Sequence, residues 1–211
     1  MPLVNLLHNN ERWAESIVSR DPEFFKELAR QQTPEYLWIG CADSRVPANE
    51  IVGLKPGELF VHRNIANLVK HDDMNCQSVI QYAVDVLKVK HIIVTGHYGC
   101  GGVAVALSRE NAGISDYWLR AVKDCYIRHR GEIDAIEDPV QRLNRMCEIN
   151  VVEQVAHVVH SKIIQHAWQR GQSLRVHGWI YDIKDGILKD LGATFSSLDQ
   201  VEEIYRIKLP T

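Results

Sequence analysis

Tyr-Leu-Trp-Ile-Gly-Cys-Ala-Asp-Ser-Arg (36–45) and His-Ile-Ile-Val-Thr-Gly-His-Tyr-Gly-Cys-Gly-Gly (91–102) share one design. In each, a short aliphatic and aromatic run gives way to small and polar residues, the pattern of a buried strand running out into a loop. Cys41 follows the first run, His97 follows the second, and Cys100 stands three residues further on. Glu-Leu-Phe-Val-His (58–62), Leu174 to Tyr181 and Ile187 to Phe195 read as further strands. Helical spacing fills the intervals: residues 3–31 with a restart at Asp21-Pro22, 76–87, 103–108, 115–130 and roughly 138–169. Strands separated by helices predict an α/β fold, a central and mainly parallel sheet flanked by helices.

That architecture brings distant residues together, because in open α/β sheets the functional groups gather in loops beyond the carboxyl ends of the strands. Two thiolates and one imidazole form a three-ligand zinc set with a fourth tetrahedral position left for water or substrate. Two buried apolar cysteines would be the plain alternative. The shared placement of all three at strand ends, with glycines at 96, 99, 101 and 102 to turn the chain, favours metal binding. A phosphate-wrapping cysteine loop does not fit, since it needs an arginine six residues after its cysteine and Pro47 stands there.

Asp43 and Arg45 follow Cys41 closely enough to reach the same site. As a surface ion pair they would matter little. Beside a metal already neutralised by two thiolates they would matter more. Asp43 could accept a hydrogen bond from the reacting water, or could itself ligate the metal and close the site, with Arg45 deciding which.

The bulk properties exclude several classes. The 211 residues carry Lys+Arg 24 against Asp+Glu 27, a net charge of -3, with 45% hydrophobic and 24% charged residues. There is no basic excess for nucleic acid and no apolar run fit for a membrane span. With no export signal and an odd cysteine count, the chain reads as a cytoplasmic protein without disulfides. No linker or internal repeat interrupts it, so one domain is expected: a helical arm over 1–31 and an α/β core over 32–211.

Cys-Ala-Asp-Ser-Arg-Val (41–46), Gly-Glu-Leu-Phe-Val-His-Arg-Asn (57–64) and Gly-His-Tyr-Gly-Cys-Gly-Gly (96–102), in this order and spacing, resemble the β-class carbonic anhydrases. The resemblance runs from about residue 5 to Tyr205. It implies one zinc ion per subunit on Cys41, His97 and Cys100, with Asp43 and Arg45 as the catalytic pair. It implies reversible hydration of carbon dioxide to bicarbonate and a proton. It further implies substrate contacts from Gly101 and from Gln32, the latter often across a dimer interface, and self-assembly as a dimer or tetramer. The helices of 3–31 carry more apolar face than a peripheral element needs, so they are expected to embrace the second subunit.

Trp38 and the motif His-Gly-Trp-Ile-Tyr (177–181) bring the chain closest to the bicarbonate-regulated (type II) bacterial subgroup of that family. There the counterparts of Trp38, Arg63 and Tyr181 form a second bicarbonate pocket that favours the closed state. An indole N–H, a guanidinium and a phenol are all donors, as an anion pocket requires. Two other readings stay open: a lyase acting on carbonyl sulfide or carbon disulfide, and a redox sensor using Cys41 and Cys100 as a thiol pair.

Overall fold

Two helices, α1 (Val4–Val18) and α2 (Phe24–Arg30), open the chain in a computed structural model that describes residues 3–108 and 110–208. They lead into β1 (Tyr36–Cys41), α3 (Ala48–Val52) and β2 (Leu59–Asn64). Next come α4 (Met74–Gln81), prolonged by a wider turn over 82–86, and β3 (His91–His97). Five helices follow: α5 (Gly101–Leu107), α6 (Ser115–Arg128), α7 (Arg130–Asp134), α8 (Pro139–His160) and α9 (Lys162–Gln169). The hairpin of β4 (Arg175–Asp182) and β5 (Ile187–Phe195) completes the sheet, whose order is β2-β1-β3-β4-β5.

The sheet is mainly parallel, as expected: β2, β1, β3 and β4 run parallel, and β5 runs antiparallel to β4. The reason is local. Only a tight turn, with Gly186 at φ 75, separates β5 from β4, and a parallel return needs a crossover of a dozen or more residues. The expected single helix over 138–169 is two. Ser161 leaves helical geometry at φ -68, ψ 144, and its hydroxyl accepts the amide of Ile164 at 3.4 Å, so it caps α9.

β1 and β3 lie in the middle of the sheet, which is why they read as continuous apolar runs. Their alternating side chains feed two cores. Leu37, Ile39, Ile92 and Val94 join Val176 and Ile180 under α4, α8 and α9. Trp38 and Ile93 face the other way, with Leu59, Val46 and Ala48 of the α3 segment. α8 crosses β3 and β4 closely because Gly96 and Gly178 stand beneath it. A β-carbon on Gly96 would lie 2.5 Å from Val151, and one on Gly178 would lie 3.0 Å from Val155. By contrast α1 has no buried residue, and it leaves Leu6, Leu7 and Trp13 exposed. Among the described residues no helix is long and apolar enough to cross a membrane.

Candidate metal centre

Because β1 and β3 are parallel neighbours, Cys41 and His97 leave the sheet at the same edge. Gly99 then takes φ 64, a conformation in which a side chain would be strained, and returns the chain so that Cys100 starts α5 beside them. The ligand atoms of Cys41, His97 and Cys100 all lie within 4.8 Å of one another, and all three residues are buried.

The donor set fits zinc on three counts. The sulfurs of Cys41 and Cys100 are 3.8 Å apart, and two thiolates each ~2.3 Å from a tetrahedral ion lie about that far from each other. His97 donates from Nδ1 to the carbonyl of Tyr98 at 3.1 Å, which leaves Nε2 as the free acceptor. That nitrogen is buried without any hydrogen-bond partner. Ionisation of one sulfur also opposes ionisation of the other. A Cys100 thiol donating to Cys41 pulls Cys41 well below the usual thiol range and, with burial, pushes Cys100 far above it. Only a cation between them makes both thiolates favourable.

Asp43 sits at the mouth of this cluster, with Oδ2 3.7 Å from Nε2 of His97. Arg45 holds both of its oxygens, donating from Nε to Oδ1 at 2.9 Å and from Nη2 to Oδ2 at 2.7 Å. Those hydrogen bonds keep the Asp43 carboxyl well below the usual carboxylate range despite partial burial. Arg63 donates from Nε to the carbonyl of Cys41 at 2.9 Å and from Nη2 to the carbonyl of Asp43, so it fixes the backbone of the same loop. Ala66 occupies left-handed backbone geometry at φ 64, and its amide together with that of Asp43 favours the charged form of Cys41. The carbonyl of Ala66 is in turn held by buried Asn150 of α8 at 2.9 Å.

Gly101 follows the ligand Cys100, and a β-carbon there would meet nothing within 4 Å. Trp38 is wholly buried, with Tyr181 and Trp179 packed against its cluster. Arg63 belongs to the same sheet face, since its register partner Gly40 follows Trp38 by two residues. On that face two donors with no sign in the sequence, Thr95 Oγ1 and Nε1 of its register partner Trp179, are buried without a hydrogen-bond partner.

Gln32 is not brought to the cluster. It is exposed, four residues before the start of β1, while Cys41 ends that strand roughly 16 Å further on. Among the described residues, two other groupings of potential ligands are occupied otherwise. Asp73 caps α4 and His62 is bonded to Asn64 in the group with Cys76, and Glu153 is taken by Arg128 and His129 in the group with Cys125.

An open α/β sheet that gathers two cysteines and a histidine beyond the carboxyl ends of its strands carries the donor set of a catalytic metal site. Comparison with known proteins narrows the class: residues 36–188 match the carbonic anhydrase family. A carbonic anhydrase of Emericella nidulans is 50% identical over 96% of this chain and 89% of its own, and one of Candida albicans is 34% identical over 97% and 72%. Among solved structures, a Coccomyxa β-carbonic anhydrase in complex with acetazolamide superposes with a TM-score of 0.90 at 39% identity, covering 94% of this chain and 90% of that one. One of two tetrameric β-carbonic anhydrases from Sordaria macrospora gives 0.87 at 43% identity, covering 91% and 98%. The chain belongs to the β-class carbonic anhydrase family.

Proposed function

We propose that this carbonic anhydrase hydrates carbon dioxide at a zinc ion held by Cys41, His97 and Cys100. The observation that carries the reading is the unpartnered, buried Nε2 of His97 facing two sulfurs 3.8 Å apart. Zinc bound there would supply the Lewis acidity that brings the pKa of a water in the open position toward neutrality. Asp43, kept ionised by Arg45, accepts one hydrogen bond from the attacking water and leaves a lone pair aimed at carbon dioxide. The oxygen–carbon bond forms, one carbon–oxygen double bond opens, and bicarbonate and a proton result. Asp43 is too acidic to keep that proton at neutral pH, so it passes to solvent buffer. Gly101 leaves open space beside Cys100 for the substrate. Stopped-flow hydration by zinc-assayed protein tests the assignment. Asp43→Ala should lower kcat about 10²-fold or more at full zinc content, and unchanged turnover would sink it.

The closed state with Asp43 on zinc, and inhibition by bicarbonate at Trp38, Arg63 and Tyr181, belong to the same proposal. Its support is the position of Arg63, which grips the carbonyls of Cys41 and Asp43 from the face that carries Trp38. An anion that drew this guanidinium away would loosen the Asp43 loop from Arg45. Trp38→Phe should therefore weaken bicarbonate inhibition several-fold, and an unchanged inhibition curve would count against the pocket. The type II assignment rests on these three residues. We also propose a dimer or tetramer. The support is the exposed apolar face of α1 and the tetramers of the Sordaria macrospora relatives. From the far end of β1, Gln32 reaches a site only in a second protomer.

A further inference from the structure

The loop bearing His97 and Cys100 is not held by its own strand alone. Tyr98 donates from its phenol to Oε1 of Glu148 at 2.6 Å, and Arg145 donates from Nη1 to the other oxygen, Oε2, at 2.8 Å. One turn back on α8, Asn144 Oδ1 accepts the amide of Gly99 at 3.3 Å. Residues 144 and 148 are four apart and share a helix face, so α8 presents both acceptors to the loop together. Buried Cys147 lies between them on the same helix. On the loop side, the carbonyl of Tyr98 accepts Nδ1–H of His97, and the amide of Tyr98 donates to the carbonyl of Tyr181 at 3.0 Å. The carbonyl that orients the imidazole belongs to the Tyr98–Gly99 peptide, whose N–H is the one Asn144 accepts. The preceding peptide is fixed by β4, and the side chain of Tyr98 by a carboxylate on α8. Arg145 is itself braced by Glu132 of α7 at 2.6 Å, which keeps Glu148 from swinging to solvent.

We propose that Glu148, acting through Tyr98, and Asn144, acting through Gly99, are positioning residues that set the aim of His97 and Cys100 and thereby the retention of zinc. Neither touches the ligand atoms. Their effect passes through the tilt of the Tyr98 peptide and the turn at Gly99. Outer groups of this kind change metal affinity by roughly 10–100-fold when removed. The proposal rests on the reading of Cys41, His97 and Cys100 as the zinc ligands.

The test uses the full chain loaded with zinc, or with cobalt(II) as a spectroscopic substitute. Transfer of zinc to a chromogenic chelator gives the release rate, and the thiolate-to-cobalt and d–d absorption bands report ligand geometry. Tyr98→Phe and Glu148→Ala should release zinc about 10–100-fold faster and shift the cobalt bands. Glu148→Gln, which still accepts the phenol, should stay near the parent. The thermal midpoint of each metal-free variant should match that of the metal-free parent. Wild-type release rates and bands in Tyr98→Phe overturn the inference, as does an equal loss of stability with and without metal, which marks a merely structural brace. A parent protein that takes up no zinc overturns the ligand reading itself, an outcome distinct from either.

Discussion

Replacing Gly96 with alanine puts a β-carbon 2.5 Å from Cγ2 of Val151 and 3.2 Å from Cδ1 of Ile180. Both neighbours are fully buried, and ordinary carbon–carbon contacts are ~3.5–4.0 Å, so α8 or the end of β3 must move by about an ångström. Val151 cannot swing aside, because a β-branched residue in a helix has essentially one rotamer. Overpacking of this kind costs about 1–3 kcal/mol, and a clash with a rigid partner in a central strand belongs at the upper end. Val151→Ala alone removes two buried methyl groups and leaves a void, for about 2 kcal/mol. In the double variant the new methyl of residue 96 fills that void. The total should then be about 2 kcal/mol in place of an additive sum near 5, a coupling of roughly 3 kcal/mol. Urea unfolding of the zinc-loaded proteins at one fixed protomer concentration measures all four corners of the cycle. Additive losses would refute the close approach of α8 to β3. Hydration activity should fall in Gly96→Ala, whose shifted α8 carries Asn144 and Glu148 with it, and should recover in the pair.

Two further outcomes follow from the site and its surroundings. Gln32→Ala and Asp43→Ala should each be poorly active alone, yet co-expression should restore about a quarter of wild-type sites, because random two-fold pairing gives half heterodimers with one complete site each; no restoration would place Gln32 outside the partner's site. Glu153 is raised by burial but lowered further by hydrogen bonds from His129 and Arg128, so its net shift is downward. Its contribution is present above the unfolded value of 4.5 and is lost as pH falls through the lower folded value. Glu153→Gln should therefore flatten the acid limb of the stability profile below about pH 4.5, and parallel limbs in denaturant titrations of the two proteins would refute that role.

Much of this molecule is legible in its sequence because its central strands are buried on both faces. Such strands write themselves as unbroken apolar runs, and the small residues after Gly40 and Gly96 mark where they end. Cys41, His97, Cys100, Asp43 and Arg45 all sit at those ends, so one pattern located both the sheet edge and the cluster. What escaped depends on distance in the chain. Ala66 carries no local sign that its backbone is left-handed, for it is held so by Asn150, far along on α8. Glu148 and Asn144 read as the polar positions of an amphipathic helix, and nothing in their spacing names Tyr98 or Gly99 as partners. The break at Ser161 leaves no mark in the sequence, because apolar periodicity runs on through it and a serine marks a cap only when its neighbours leave the helix. Thr95 and Trp179 look like ordinary strand residues until the register sets them side by side.

Arg63 grips peptide carbonyls, not side chains. Every residue offers the same carbonyl, so this grip on the loop from Cys41 to Asp43 does not depend on which side chains the loop displays. Reagent and frame are thus largely written in separate parts of the chain. Exchanging Asp43 removes the turn its Oδ1 makes with the amide of Arg45 but leaves the grip of Arg63 in place, and Arg63 can be lost without altering the inventory of reacting groups. A scaffold divided in this way can explore new chemistry at one position without first relearning how to fold around it.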